Sequence, residues 1–495
     1  MKIRVVKTAS NARAVQAVRY DYGKRVVVKH FGSCHSDEEL DEMLLIANEW
    51  IKDFVGQISM FPEDDPNTFF HINHCTFLGV YYTLFYELID FIQSEIGFDD
   101  LAQPMLKDLV TIRIFEPSSK LHSIELLKNY FGIVHQRKNY YKIAPQWIRL
   151  KELVETRVVN FAMKQYSFNF DLLFYDITTL YFETFDEDEL RRNGFSKDNK
   201  SQQPQILVGL MVSQEGFPVA YEIFPGNTFE GHTITPVVKE FIDKHSVKSF
   251  TVVADAAMIS STNIEELLKH NINYIVGARL GNLSNELNDQ IDSNINREDG
   301  KSIRIKTENG YLICSYSATR YRKDKYEMEK QIEKAQTIIN KPSKSRKLKF
   351  TKSLGEKLEL NQALIEKNKK MLGIKGYYTN LDEKEVSNQT IIERYHELFR
   401  IEQAFRISKS DLQTRPIFHF KEEPIKLHML ICFMALVIAK HIELTTGNSI
   451  KRFIIECRKV SEARILNHIT NKEIKMKARL TPQITEYLSK LKAPH

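Results

Sequence analysis

The chain has few cysteines, five in all, at positions 34, 75, 314, 432 and 457, an odd number, scattered and without a CxxC pair. That sparsity argues against a disulfide framework and suits a reducing cytoplasm. Long apolar runs are missing too. The longest, "LHMLICFMALVIA" (427–439), has 13 residues, short of the roughly 20 that span a bilayer, so a buried core helix is expected and no membrane partner. The opening "MKIRVVKTAS" holds no apolar segment of signal-peptide length, which again predicts a cytoplasmic protein. Neither a glycine-rich phosphate loop nor a Ser-His-Asp signature stands out. Charge of neither sign dominates: 70 basic against 64 acidic residues leave +6, which permits a polyanionic partner without requiring one.

What is present fills several domains. At 495 residues two to four are expected. Alternating runs around "YG" (22–23) predict a hairpin, and "SDEELDEMLLIANEWI" starts with a helix-capping pattern. From about 76 to 165 the periodicity is helical, with "EPSS" separating two helices in a layout that resembles a helix-turn-helix. The texture changes at 168. "FNFDLLFYDITTLYFET" reads as a strand, "PQILVGLMVSQEGFPVAYEIFPGN" as two more, and "TVVAD" and "INYIVGARL" as strands separated by helices. The order strand-strand-strand-helix-strand-helix-strand predicts a mixed α/β sheet covered by helices. Between 281 and about 378 this pattern is interrupted by a hairpin and Lys-rich helices, and "KPSKSRKLKFTKS" (341–353) carries six basic residues and no acid. That stretch reads equally as a solvated loop or a phosphate-contacting surface.

Three acids stand where the local pattern asks for apolar residues. Asp176 lies inside the first strand, Asp255 closes "TVVAD" at the carboxyl end of a buried strand, and Glu402 falls on the apolar arc of "IIERYHELFRIEQAFRISKSDLQTR" (391–415), read as one amphipathic helix. A buried carboxylate needs compensation, and three facing one centre suggest hard divalent cations with oxygen ligands, a pair of which can drive in-line displacement at a phosphodiester. Each acid has a plainer alternative. Glu402 could pair with Arg406, Asp255 could cap the helix after it, and Asp171 competes with Asp176.

The strands "YDITTLYF" and "VVADAAM" and the helix "YHELFRIEQAFRISKSDLQTRPIFH" together resemble the DDE transposases of bacterial insertion sequences. More narrowly they resemble the group whose last acid lies in a Tyr-Arg-Glu-Lys signature preceded by a large insertion. The likeness covers about 168–440, and "PSSKL" and "FGS" are compatible with it. It implies a ribonuclease-H-like catalytic fold and Mg²⁺ in a two-metal site, with Mn²⁺ able to substitute. It also implies cut-and-paste transfer of double-stranded DNA, from terminal inverted repeats into a target, by a homodimer in a synaptic complex. Carried over by position, Asp176, Asp255 and Glu402 are the catalytic, metal-binding acids. Glu402 and Lys409 follow Tyr395 at +7 and +14 as the signature requires, while +3 is Leu398 where arginine is expected. Arg394 and Arg406 are candidates to replace that arginine, and Lys409 and Tyr395 to hold DNA phosphates. The insertion lacks tryptophan, so a tyrosine would have to stack a flipped base if second-strand cleavage uses a hairpin.

The expected division is a mostly helical DNA-binding region (1–165), a catalytic core in two parts (166–280 and 381–445), a basic insertion (281–380) and a helical C-terminal region (446–495). Localisation in a bacterial cytoplasm, with the nucleoid, follows from the resemblance. A metal-dependent nuclease on the same fold and a non-catalytic DNA-binding relative remain as alternatives. A zinc site at His71, His74, Cys75, Cys34 and His35 is disfavoured by irregular spacing. "GHT" (231–233) and "FPGN" (224–227) read as turn-shaping segments.

Overall fold

Alternating hydrophobicity at the N-terminus produces an antiparallel sheet, β1 (Lys2–Lys7), β2 (Arg13–Asp21) and β3 (Lys24–Cys34), with α1 (Asp37–Val55) laid on it. The capping pattern is realised: Glu39 N–H donates to Ser36 Oγ at 3.1 Å, while Glu39 Oε2 accepts from His35 N at 2.7 Å. This computed structural model describes the chain apart from residues 10–11, 22, 56–73, 195–201, 246, 248–249, 259, 309, 341–347, 355–356, 469–470 and 495. His71 and most of the basic 341–353 stretch therefore lie outside the described residues. Strand β4 (Cys75–Tyr81) follows, then the helices α2 (Thr83–Ile96), α3 (Pro104–Phe115), α4 (Lys120–Phe131), α5 (Arg137–Ile143) and α6 (Trp147–Tyr166). Ser119 caps α4, accepting from His122 N, and α3 is buried along nearly its whole length.

The main sheet begins with β5 (Leu172–Tyr181), β6 (Gln205–Ser213) and β7 (Pro218–Pro225), all antiparallel. Then α7 (Ile234–His245), β8 (Thr251–Ala254), α8 (Ser261–Lys269) and β9 (Asn273–Ala278) add two strands parallel to β5. After α9 (Asn285–Asn294) come β10 (Ser302–Thr307), β11 (Gly310–Tyr316), α10 (Ala318–Asn340), β12 (Thr351–Leu354), β13 (Lys357–Leu360), α11 (Gln362–Lys370) and β14 (Ile374–Thr379). The eight strands run in the order β10-β11-β14-β9-β8-β5-β6-β7, a mixed sheet flanked by helices. Most residues of β5 to β9 are buried, which explains their near-continuous apolar texture. Strands from the 281–380 segment thus extend the sheet, while Met328, Ala335, Phe350, Ile365 and Leu372 make a small separate core under α10 and α11.

A helix α12 (Asn388–His396) and a second, α13 (Phe399–Arg406), lie on this sheet, followed by a single π turn at Ile407–Asp411. The expected single helix over 391–415 is therefore broken. Arg400 N–H reaches back only to Glu397 O and Ile401 N–H to Leu398 O, so the backbone tightens there and the helical phase resets. The long apolar run becomes α14 (Glu422–Thr446), long and apolar enough to cross a membrane but almost wholly buried, packing against α3, α6 and β7. Under it, Glu155 of α6 accepts from Lys151, Lys244 and Tyr221 N, joining α6 to α7 and β7.

The C-terminal stretch, expected to be helical, contains α15 (Ile450–Cys457), β15 (Glu462–Asn467), β16 (Lys472–Lys477) and α16 (Pro482–Leu491). The hairpin pairs with β4 in a three-stranded sheet, β16-β15-β4, uniting segments nearly 400 residues apart.

Candidate active site

Strand register builds the site. Tyr175 pairs with Ala254 and Ala254 with Val276, so one residue further along each strand Asp176, Asp255 and Gly277 fall in one row. Tyr377 of β14 pairs with Gly277 and completes the row. In a parallel pair, matched residues point to one face and their backbones stand about 4.8 Å apart. Asp176 and Asp255 thus each follow a paired residue, Asp255 just past the end of β8, on strands against which α12 and α13 pack. Asp176 is half-buried and Asp255 exposed. Asp255 is not the cap of α8: Ser260 holds that place, accepting from Asn263 N, and Asp255 Oδ1 instead takes Ala256 N–H at 2.7 Å. Asp171 lies before β5, where its side chain accepts from Asn169.

Tyr395 reaches this row from α12. Its hydroxyl donates to Asp255 Oδ1 at 3.2 Å, and its ring meets Tyr377 edge-on at 4.9 Å. Burial, then the Asp255 carboxylate and more weakly Asp176, push its phenol well above the usual range. The contact depends on Gly277, since a Cβ there would stand 2.5 Å from the Tyr395 hydroxyl. Tyr395, expected to contact a phosphate, thus also hydrogen-bonds an acid.

Glu402 departs from the buried position expected of it. Resetting the phase at 397–401 makes α13 bury Ile401 and Ala404, and Glu402 turns to the exposed rim. No burial cost needs compensation there. The plainer reading fails as well, because no Glu402–Arg406 ion pair forms among the described residues. Glu402 shares instead the surroundings of Lys375 with Asp255: both carboxylates raise the Lys375 pKa, against burial and Arg320, which together hold it below the usual lysine value. Asp255 and Glu402 therefore both act on Lys375, and Asp176 is linked to them through its weaker effect on Tyr395. Their donor oxygens suit a hard divalent ion, though among the described residues no three His, Cys, Asp or Glu side chains converge closely enough to hold one.

Of the other expected contacts, Arg394 is half-buried on α12 and Arg406 exposed at the end of α13. Lys409 sits on the π turn, half-buried beside Thr178 and Phe405. His74 pairs with Glu42, and no zinc cluster forms among the described residues. "GHT" closes a 3₁₀ turn in which Thr233 Oγ1 accepts from the buried Tyr175 hydroxyl at 3.0 Å. Lys375 went unmarked in the sequence, although a lysine inside "IKGYYT" is an ionisable group in a central strand and could have been flagged.

A family model described as "Transposase DDE domain" matches residues 170–438, more than half of the chain. Among curated proteins none matches. A cryo-EM structure of piggyBac transposase in a synaptic complex with hairpin DNA matches with 11% identity over 86% of this chain and 77% of that one. Its TM-score is 0.37, a likeness too loose to bear on the site.

Proposed function

The chain belongs to the Transposase DDE domain family, and from that premise we propose that it is the transposase of a bacterial insertion sequence. It would cleave DNA at terminal inverted repeats and join the freed 3′-hydroxyl to target DNA. One observation supports this reading: Asp176 and Asp255 each directly follow the paired residues Tyr175 and Ala254, on strands against which α12 and α13 pack. The strand order β7-β6-β5-β8-β9, three antiparallel strands followed by two parallel ones, supports a ribonuclease-H-like core with the 281–380 segment inserted before its last helix.

Asp176, Asp255 and Glu402 would hold the divalent ions, Mg²⁺ or in its place Mn²⁺. When bound, such ions supply Lewis acidity at the phosphodiester and an activated water or 3′-hydroxyl. Tyr395 keeps one Asp255 oxygen oriented by donating to it, so the rest of that carboxylate faces the reacting groups. Arg394, Arg406 and Lys409 are assigned to the DNA backbone, a positioning role that reads no sequence. Joining two ends in one complex calls for a homodimer on DNA, and such a protein acts in the cytoplasm, at the nucleoid.

The test is cleavage of a DNA carrying the element's ends in Mg²⁺, with Asp176→Asn, Asp255→Asn and Glu402→Gln compared in turn. Each should lower cleavage by on the order of a thousandfold while duplex binding persists. Equal cleavage by all three would remove the acids from the chemistry. Cleavage without integration products would leave a nuclease on the same fold.

A further inference from the structure

Lys375 is an ionisable side chain in a central strand that the proposed reaction leaves unused. It lies on β14 two residues before Tyr377, on the face that carries the acids. Its ammonium stands 4.6 Å from the Tyr395 ring centre and 5.5 Å from that of Tyr377, a cation held over two aromatic faces. It makes no hydrogen bond or close ion pair among the described residues, yet Asp255 and Glu402 both act on it. Beside it a cavity of about 290 Å³ opens, lined by Arg320, Lys349, Asp324 and Glu327, with Arg320 paired to Asp324 at 3.3 Å.

Building on the proposed active site, we propose that Lys375 is a resting countercharge of Asp255 and Glu402 and couples divalent-ion loading to DNA binding. Asp255 and Glu402 repel one another, and an ammonium within Coulomb range of both relieves this without an ion. The same charge opposes a doubly charged ion entering between them. A DNA phosphate arriving over the acids offers the flexible ammonium a stronger partner, with the cavity toward Arg320 leaving room for it to move. Loading is then disfavoured in the free protein and favoured on DNA. By linkage, divalent ions tighten DNA binding by the same factor.

The experiment is Mn²⁺ titration of the full chain, by calorimetry and by electron paramagnetic resonance, with and without a double-stranded oligonucleotide. Lys375→Met should bind Mn²⁺ about tenfold more tightly than the unsubstituted chain without DNA, and should lose most of the gain that DNA brings. Lys375→Arg, which keeps the charge, should behave as the unsubstituted chain. Should Lys375→Met fail to fold, judged by thermal unfolding, Lys375→Gln replaces it. Unchanged or weaker Mn²⁺ affinity in the neutral variant overturns the inference, provided Asp255→Asn abolishes the binding. If Asp255→Asn leaves Mn²⁺ binding intact, or the unsubstituted chain binds none, the active-site reading falls and this one with it.

Discussion

Replacing Gly277 by alanine tests the packing that carries Tyr395 across the sheet to Asp255. The added Cβ would stand 2.5 Å from Tyr395 Oη and 3.2 Å from both Tyr395 Cζ and Ala256 Cβ. Ordinary contact starts near 3.4 Å, so the hydroxyl must retreat by about 0.9 Å. The ring has little room, being 6% exposed and wedged between Tyr377 and Lys375. From a starting length of 3.2 Å, that retreat breaks the hydrogen bond to Asp255. Overpacking a filled interior costs about 1–3 kcal/mol. The lost hydrogen bond adds about 0.5 kcal/mol, a low value because water reaches the exposed Asp255 and takes its place. Gly277→Ala should therefore lower the unfolding free energy by about 2 kcal/mol in urea titrations. Tyr395→Phe removes the atom that clashes, so the same alanine introduced beside it should cost about 1 kcal/mol less. The refuting result is plain additivity: if the two substitutions sum, Gly277 is not what makes room for the tyrosine.

Three further outcomes follow from the structure. Glu155 and Lys151, each 3% exposed, share a buried network with Lys244 and Glu222; Glu155→Gln should cost about 3 kcal/mol in the same titrations, since Lys151 loses a buried partner. Burial holds His441 down to about 4, and burial with Lys120, Arg113 and Arg137 holds His419 down to about 3. Both then contribute stability above the unfolded value of roughly 6.5 that is lost as pH falls toward the folded ones, so thermal stability should decline between about pH 6.5 and 4. His441→Leu should flatten that decline by up to about 3 kcal/mol; an unchanged acid limb would rule the histidine out. Arg406→Ala, at an exposed position, should weaken duplex binding, reduce its salt dependence by about one counterion and leave folding unchanged.

The central sheet was legible because its strands are buried on both faces. Such strands need β-branched and aromatic runs, and Asp176 and Asp255 stood out as interruptions of those runs. Their adjacency was not legible, because register depends on how β5, β8 and β9 pair across distant sequence. The reason for singling out Glu402, a place on a buried arc, proved wrong. The arc from Ile391 to Phe405 assumes an unbroken helical phase, and the tightened turn at Glu397 and Leu398 has no glycine or proline to announce it. The hairpin β15–β16 was lost in a region read as helical because its partner, β4, lies near the other end of the chain.

That partnership orders the birth of the protein. Strand β4 begins at Cys75, and the first residue able to zip against it, in β15, is Glu462. At a translation rate of about 5–20 residues per second, β4 spends roughly 20–80 s waiting on the ribosome with one edge of amides unclaimed. Phe77 and Leu78, open to solvent even in the finished molecule, sit on that waiting strand. A nascent or prematurely terminated chain thus offers two open edges of β4 where the full-length one has paired one of them with β15, and holdase chaperones should discriminate between the two.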